Sequence, residues 1–296
     1  LSKNLKNSKS IIKKLLQTYQ KNLDTRFLNL ALKISEKTNI KIPLSILKNF
    51  EILNKDRIKN YDFISKKNFK KSQILFNKKF TNLLLKKKIL VVADELKEAM
   101  HIQYLLKSIN LINIEFLIVI NSKKEAELIK KKYRYNTILN LDSKNGENVV
   151  NSFNSDYIIM AAAKKILSNR FLNNVNSICI NTHPSKLPKI RGSSNRLWSI
   201  IEGVPSGWTS HIIDSGVDTG PILNFIQIPL IKNETYFQYA ERSYYQFKWQ
   251  NVLYSIAGLI SGKITPRPQK IKDGKQFFYM SKYITNFIIK NFKNKN

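Results

Sequence analysis

Three side chains near the middle of the sequence are of the types that move protons and hold developing charge. Asn181 and His183 stand two apart in Asn181-Thr182-His183-Pro184-Ser185, followed by Leu187-Pro188 and Arg191-Gly192. Asp218 lies further on, in Asp214-Ser215-Gly216-Val217-Asp218-Thr219-Gly220-Pro221. A carboxamide, an imidazole and a carboxylate together can donate a hydrogen bond, shuttle a proton and orient the group that shuttles it. Taken singly, each has a plainer explanation: Asn as a turn residue, His as a satisfied polar group, Asp before Thr-Gly as a turn or cap former. Taken together at strand ends, they favour catalysis.

The elements around them supply the positions. Residues 177–180 form a short, mainly apolar run with β-branched residues and predict a buried strand. Residues i and i+2 of a strand point the same way, so Asn181 and His183 share a face at its carboxyl end, where Pro184 stops the ladder. Residues 208–213 predict a second strand, and Gly216 allows the tight turn between Asp214 and Asp218. Residues 222–230 predict a third. In open α/β sheets, ligands bind beyond the carboxyl ends of the strands. His211, in mid-strand, is expected to pack or hydrogen-bond structurally. Trp198 and Trp208 are expected in the core. Ser193 or Ser194 reads equally as a substrate contact or a helix N-cap, and Arg191 as an anion contact or a loop brace.

Alternation of apolar strand and amphipathic helix begins at residue 88. Strands are predicted at 89–93, 114–120, 137–141, 156–161 and 178–181, with helices at 95–109 and 123–132. This pattern predicts an α/β, Rossmann-like open and mostly parallel sheet with helices on both faces. A long helix is predicted over 234–261, its aromatic residues forming a core-facing stripe. Upstream, residues 1–86 read as a lysine-rich helical extension, with Pro43-Leu44-Ser45 opening a new helix. Downstream, 266–296 reads as a short hairpin and tail turning at Asp273-Gly274. The expected division is therefore 1–86, 87–265 and 266–296.

Net charge is +31 over 296 residues, but it is unevenly spread. Residues 1–90 carry 23 basic and 5 acidic side chains, whereas 181–260 carry 7 and 5. Lysine outnumbers arginine 43 to 8, which reads as compositional bias more readily than as a surface of forked phosphate contacts. Nucleic acid is thus a partner not excluded but not favoured; a small amine is preferred. No apolar run is long enough to span a bilayer, and residues 1–22 lack a leader pattern. The single cysteine, Cys179, excludes an intrachain disulfide; it is expected as a small buried hydrophobe in a cytoplasmic protein. Three scattered histidines make no zinc triad, so no metal is expected. There is no G-x-G-x-x-G after the first strand, no P-loop and no G-x-S-x-G elbow.

The motifs from Asn181 to Pro188, Arg191-Gly192, and Asp214 to Pro221 resemble those of formyltransferases that use 10-formyltetrahydrofolate. That family includes glycinamide ribonucleotide, methionyl-tRNA and sugar N-formyltransferases. The likeness covers about residues 88–270. It implies that Asn181, His183 and Asp218 are the catalytic trio. It further implies that the segment Ala161-Ala162-Ala163-Lys164-Lys165-Ile166-Leu167 lines the pterin pocket, and that a loop including Ile213, Asp214, Gly216 and Val217 closes over the folate. The cofactor-binding set implied is Lys164, Lys165, Ile166, Leu167, Ile213, Asp214, Gly216 and Val217. The acceptor implied is a primary amine of a ribonucleotide or an amino sugar; a methionyl-tRNA substrate, or a non-catalytic folate- or polyanion-binding role, are the alternatives. Where the glycinamide enzyme has a Gly-Ser-Asn phosphate loop, this chain has Asp94-Glu95-Leu96, and the stretch after Pro268 is too short for the basic barrel of the tRNA enzyme.

Overall fold

The computed structural model describes residues 2–59, 63–64, 78–111, 113–133, 135–161, 166–231 and 233–292. Its elements run α1 (Ser2–Asn22), α2 (Thr25–Thr38), α3 (Leu44–Lys59), β1 (Phe63–Ile64), α4 (Lys78–Leu85), β2 (Ile89–Ala93), α5 (Leu96–Ser108), β3 (Ile114–Val119), α6 (Lys123–Tyr133) and β4 (Asn136–Ile138). They continue α7 (Lys144–Ser152), β5 (Tyr157–Met160), α8 (Asn169–Asn174), β6 (Ile178–His183), β7 (Ile190–Gly192), α9 (Asn195–Glu202), β8 (Gly207–Ile212), β9 (Ile222–Gln227) and β10 (Leu230–Ile231). After these come α10 (Tyr236–Arg242), a π segment (Ser243–Lys248), α11 (Trp249–Ile260), β11 (Lys275–Phe277) and α12 (Lys282–Asn291).

Seven strands form one sheet in the order β4-β3-β2-β5-β6-β8-β9. Pairings from β4 to β6 are parallel, and β8 and β9 are antiparallel additions. The expected mostly parallel α/β sheet is what forms. Every residue of β2 is buried because both faces are covered. Ile89, Val91 and Ala93 pack under α5 and α11, while Leu90 and Val92 pack on the opposite side with Val150 and Phe171. Strand order reverses between β2 and β5, and this switch point opens the crevice at their carboxyl ends.

Residues 236–260 are one helical run, as the aromatic stripe predicted, but interrupted by the π segment. Thr235 and Gln238 form a capping box at its start. Asn251, fully buried, donates to Trp208 O and Ser210 Oγ at 2.9 Å each, which ties the run to β8. The predicted strand at 222–230 stops at Gln227, just before Pro229, which has no N–H to offer.

The C-terminal stretch differs from the expected hairpin and tail. Gly274 is extended (φ −148°), and Lys275–Phe277 pairs in parallel with β7, which no hairpin can do. Beyond it, Ser281 caps α12, whose Ile284, Phe287 and Ile288 follow an i, i+3, i+4 spacing and are buried. These residues share one core with Ile12, Leu16, Leu28 and Phe50 of the helical extension and with Trp208 and Ile226 of the sheet. The extension is therefore welded to the sheet rather than tethered to it. Of residues 290–296, read from the sequence as a frayed end, Lys290 and Asn291 instead close α12, and 293–296 lie outside the described residues. No helix among the described residues is long and apolar enough to cross a membrane.

Asn29 of α2 fastens this arrangement. Its amide donates to Tyr279 O at 3.1 Å, and its carbonyl accepts from Ser281 N at 2.6 Å. Asn29→Ala strands both backbone groups and is expected to lower unfolding free energy by about 1–3 kcal/mol in urea titrations. A change within about 0.5 kcal/mol, the range of ordinary surface substitutions, would contradict this docking.

Candidate functional site

Asn181 and His183 are the fourth and last residues of β6 and project to the same side, as the two-residue period requires. Asp218 comes from the loop between β8 and β9. Four features aim its carboxylate. Asp218 adopts a left-handed backbone (φ +54°), which Asp tolerates better than most residues. Asp214 accepts from Gly216 N at 3.1 Å and Thr219 Oγ1 at 2.7 Å, closing the turn. A Cβ on Gly216 would fall 2.0 Å from Thr219 Oγ1, so the turn needs glycine there. Finally, Gln269 donates to Asp218 O at 3.0 Å and Gly220 O at 2.6 Å, buttressing the loop from outside.

The three separated residues meet. Asp218 Oδ1 lies 3.2 Å from His183 Nδ1 and 3.3 Å from Asn181 Nδ2. Its other oxygen accepts from Gly192 N at 2.9 Å. His183 is buried, and its Nε2 is 2.8 Å from Ile190 O. Both ring nitrogens thus face acceptors, an environment that the doubly protonated ring satisfies in full. Burial by itself pushes the Asp218 carboxyl upward. The charge and hydrogen bond of His183, with those of His211, overcome burial and hold it far below the usual carboxylate range.

His211, expected to pack or hydrogen-bond structurally, is buried and hydrogen-bonds, and it does so against the trio itself. Antiparallel pairing of β6 and β8 sets it directly opposite Asn181. Its Nδ1 lies 2.9 Å from Ile212 O, which demands a proton on Nδ1. Nε2 lies 3.2 Å from Asn181 Nδ2 and 3.5 Å from Asp218 Oδ1. Asn181 Oδ1 accepts from Thr182 N at 2.8 Å. The carboxamide is therefore fixed at three points, with both amide hydrogens directed at the Asp218 side of the cleft. Only the cross-strand register reveals this, and no local motif carried it.

β7 forms the floor under His183. Ile190 O accepts from Ser185 Oγ at 2.6 Å as well as facing His183. Gly192 (φ +99°) passes so close to Phe277 of β11 that a Cβ would fall 2.1 Å from its carbonyl oxygen. Ser194 stands at the N-cap of α9 but makes no cap bond with its side chain; its hydroxyl accepts from Met280 N at 3.0 Å instead. Arg191, Trp198 and Trp208 are all buried.

The residues expected to contact a cofactor are split. Lys164 and Lys165, with Ala162 and Ala163, lie outside the described residues. Ile166 is exposed, whereas Leu167 is buried. Ile213 packs against the cluster containing Met160 and Leu167. Asp214 directs its carboxylate into its own turn, Gly216 is exposed beside it and Val217 is half-buried. One strand over from Asn181, a cavity of about 110 Å³ opens at the carboxyl ends of β2 to β5. Val119, Leu141, Met160 and Leu167 wall it, and Asp94 and Asp142 edge it. Apolar walls with an acceptor edge suit a flat heterocycle bearing N–H donors. Cys179 is buried, which pushes its thiol up to about 12 and leaves it unreactive.

A family model described as Formyl transferase matches residues 89–249. The methionyl-tRNA formyltransferase of Thermodesulfovibrio yellowstonii is 36% identical over 119 residues, which is 40% of this chain and 38% of that protein. That of Lachnospira eligens is 34% identical over 119 residues, with the same two coverages of 40% and 38%. The matched stretch thus spans well under half of these curated relatives. Among solved structures, a sugar N-formyltransferase from Shewanella sp FDAARGOS_354 aligns with a TM-score of 0.53 at 21% identity, over 71% of this chain and 89% of that one. A 4-N formyltransferase from Francisella tularensis gives 0.51 at 22% identity, over 65% and 76% respectively. At these identities the structural likeness speaks to the fold alone.

The depressed Asp218 carboxyl makes a prediction about stability. A carboxylate held below its unfolded value of about 3.9 stabilises the fold above that pH and loses its contribution as pH falls toward the folded value. Asp218→Asn is therefore expected to be less stable than wild type at pH 7, with the gap narrowing below about pH 4. Denaturation curves of both proteins at several pH values measure this. A gap of constant size from pH 7 to 3 would contradict the assignment.

Proposed function

The chain belongs to the formyl transferase family, whose members are enzymes that transfer formyl groups, and from that premise we propose that it carries a formyl group from 10-formyltetrahydrofolate to the primary amine of a small substrate, a ribonucleotide amine or an amino sugar. The observation that carries this reading is the convergence of Asn181, His183 and Asp218 within 3.3 Å. Residues 87–265 are the catalytic unit in this reading. Val119, Met160 and Leu167 receive the pterin, and Ile213 and Val217 border it.

When bound, 10-formyltetrahydrofolate supplies the electrophilic formyl carbon. Asn181 then exchanges one amide contact, that with Asp218, for the formyl oxygen, and stabilises the negative charge that develops there as the amine attacks. An oxyanion donor of this kind contributes about 3–4 kcal/mol in comparable sites. His183, held by Asp218 and Ile190 O, lends its positive form to the same charge and gives a proton to the departing nitrogen. Asp218 accepts the proton released by the amine, directly or through water. One N–C bond forms, one breaks, and the proton count balances across the His183–Asp218 pair. His211 keeps the Asn181 amide turned toward this work.

A second reading takes an aminoacyl-tRNA as the acceptor. The matched curated relatives act on methionyl-tRNA by name, and α1–α3 lie in the basic third of the chain. The two readings separate by salt: acceptor binding that releases phosphate counterions weakens steeply with ionic strength.

The test is to incubate the protein with 10-formyltetrahydrofolate and a panel of ribonucleotide amines, nucleotide-linked amino sugars and charged initiator tRNA. Tetrahydrofolate release and the formylated product are expected with one small amine. His183→Ala is expected to reduce that turnover at least about 100-fold with the fold retained. Retained activity in His183→Ala would refute the trio, and turnover only on tRNA, with steep salt dependence, would favour the second reading.

A further inference from the structure

At the carboxyl end of β5 sits a second polar cluster that the proposed chemistry does not use. Lys248, the last residue of the π segment, is 2% exposed, yet nothing about a packing position calls for an ammonium group. Its Nζ donates to Ala161 O and lies 3.3 Å from both Glu98 Oε1 and Tyr244 Oη. Tyr244 in turn donates to the same Glu98 oxygen. The rings of Tyr244, Trp249 and Trp208 surround the ammonium at 4.3, 5.2 and 5.7 Å. All three N–H bonds of the ammonium therefore have acceptors, and its open side is walled by aromatic faces.

The position of Ala161 gives this cluster its meaning. Ala161 directly follows β5, and its own N–H donates to Val92 O at 2.8 Å. The residue before it, Met160, is the cross-strand partner of Asn181. Ala161 also opens the segment that leads to Leu167. A buried cation is costly to keep, and an unbranched apolar side chain would fill the same space. A charge placed there is best explained by what it holds. The π segment contributes by widening the helix by one residue at this point, and such bulges concentrate at functional sites.

Building on formyl transfer as the reaction, we propose that Lys248 is a positioning residue: fastened by Glu98 and Tyr244, it holds the Ala161 carbonyl and so fixes the exit of β5 beside Asn181. Its action passes through the backbone; it does not touch the reacting atoms. Burial pulls the Lys248 ammonium down to about 8, against the opposing pull of Glu98. Glu98 itself is raised by burial despite Lys248. The other charges facing Lys248 are Asp94, from the end of β2, and Arg196, from α9. The ammonium grip on Ala161 is thus complete below about pH 8 and weakens above it.

The experiment is a pH profile of formyl transfer for wild type, Lys248→Met, Glu98→Gln and Tyr244→Phe, with thermal unfolding as the check on folding and His183→Ala as the inactive reference. Wild-type kcat is expected to fall as pH rises through about 8. Lys248→Met is expected to lose about 10- to 100-fold in kcat and to lose that alkaline limb, the size expected for one charge-assisted hydrogen bond. Glu98→Gln removes the charge that favours the ammonium, so the limb moves to lower pH; Tyr244→Phe moves it the same way. These last two keep the test decisive if Lys248→Met does not fold. Wild-type kcat and an unchanged alkaline limb in Lys248→Met, or an unmoved limb in both other variants, would overturn the proposal while leaving the trio intact. No formyl transfer by wild type on any amine would overturn both.

Discussion

One carboxylate organises this protein's chemistry. Asp218 is mostly buried, and four groups from three separate parts of the chain compete for its two oxygens: His183, His211, Asn181 and the backbone N–H of Gly192. Burying a charge is unfavourable unless partners of opposite polarity replace the lost water. Here they do, and the same contacts that stabilise the charge fix every reactive group in the cleft. The imidazole of His183 cannot turn without losing Asp218 or Ile190 O, and the amide of Asn181 cannot turn without losing His211. Preorganisation of this kind removes reorganisation from the reaction itself.

The rest of the fold serves that junction. The parallel half of the sheet delivers Asn181 and His183 at the end of β6, and the antiparallel half delivers His211 and the Asp218 loop. Their meeting depends on β6 being the last parallel strand and β8 its antiparallel neighbour. Short elements then lock the arrangement from outside. β7 lies across the site with Ile190 O and Gly192 N turned inward, and β11 pins β7 from the far side. Gln269 holds the loop that carries Asp218. The helical extension and α12 complete a shared core behind β8 and β9, so the N-terminal third supports the sheet that carries the site.

Much of this was legible in the residues, for physical reasons that differ by element. β2 and β5 read as strands because burial on both faces leaves continuous apolar runs, and β3 and β6 because short apolar stretches rich in β-branched residues remain. The trio read as a site because two of its members share a strand period and the third sits in a glycine-shaped turn. His211 did not, because its role comes from a register 30 residues away that no local pattern encodes. β7 and β11 are three residues long and exist only through their pairing with each other. The helix α12 was misread as a tail although Ser281, Ile284, Phe287 and Ile288 carried both a cap and a helical spacing. Lys248 was hidden inside an aromatic stripe; its burial shows only when the π segment turns it toward Ala161.

The most direct measurement is the carboxyl carbon resonance of Asp218, followed by NMR in the folded protein as pH is lowered from 7. The account requires that the resonance stay at its ionised position through the range near pH 4 where free aspartate titrates, because the imidazoles around it hold the charge in place. A midpoint near the ordinary value of about 4 would show that the carboxylate is not the shared anchor of the site, and would contradict the account at its root.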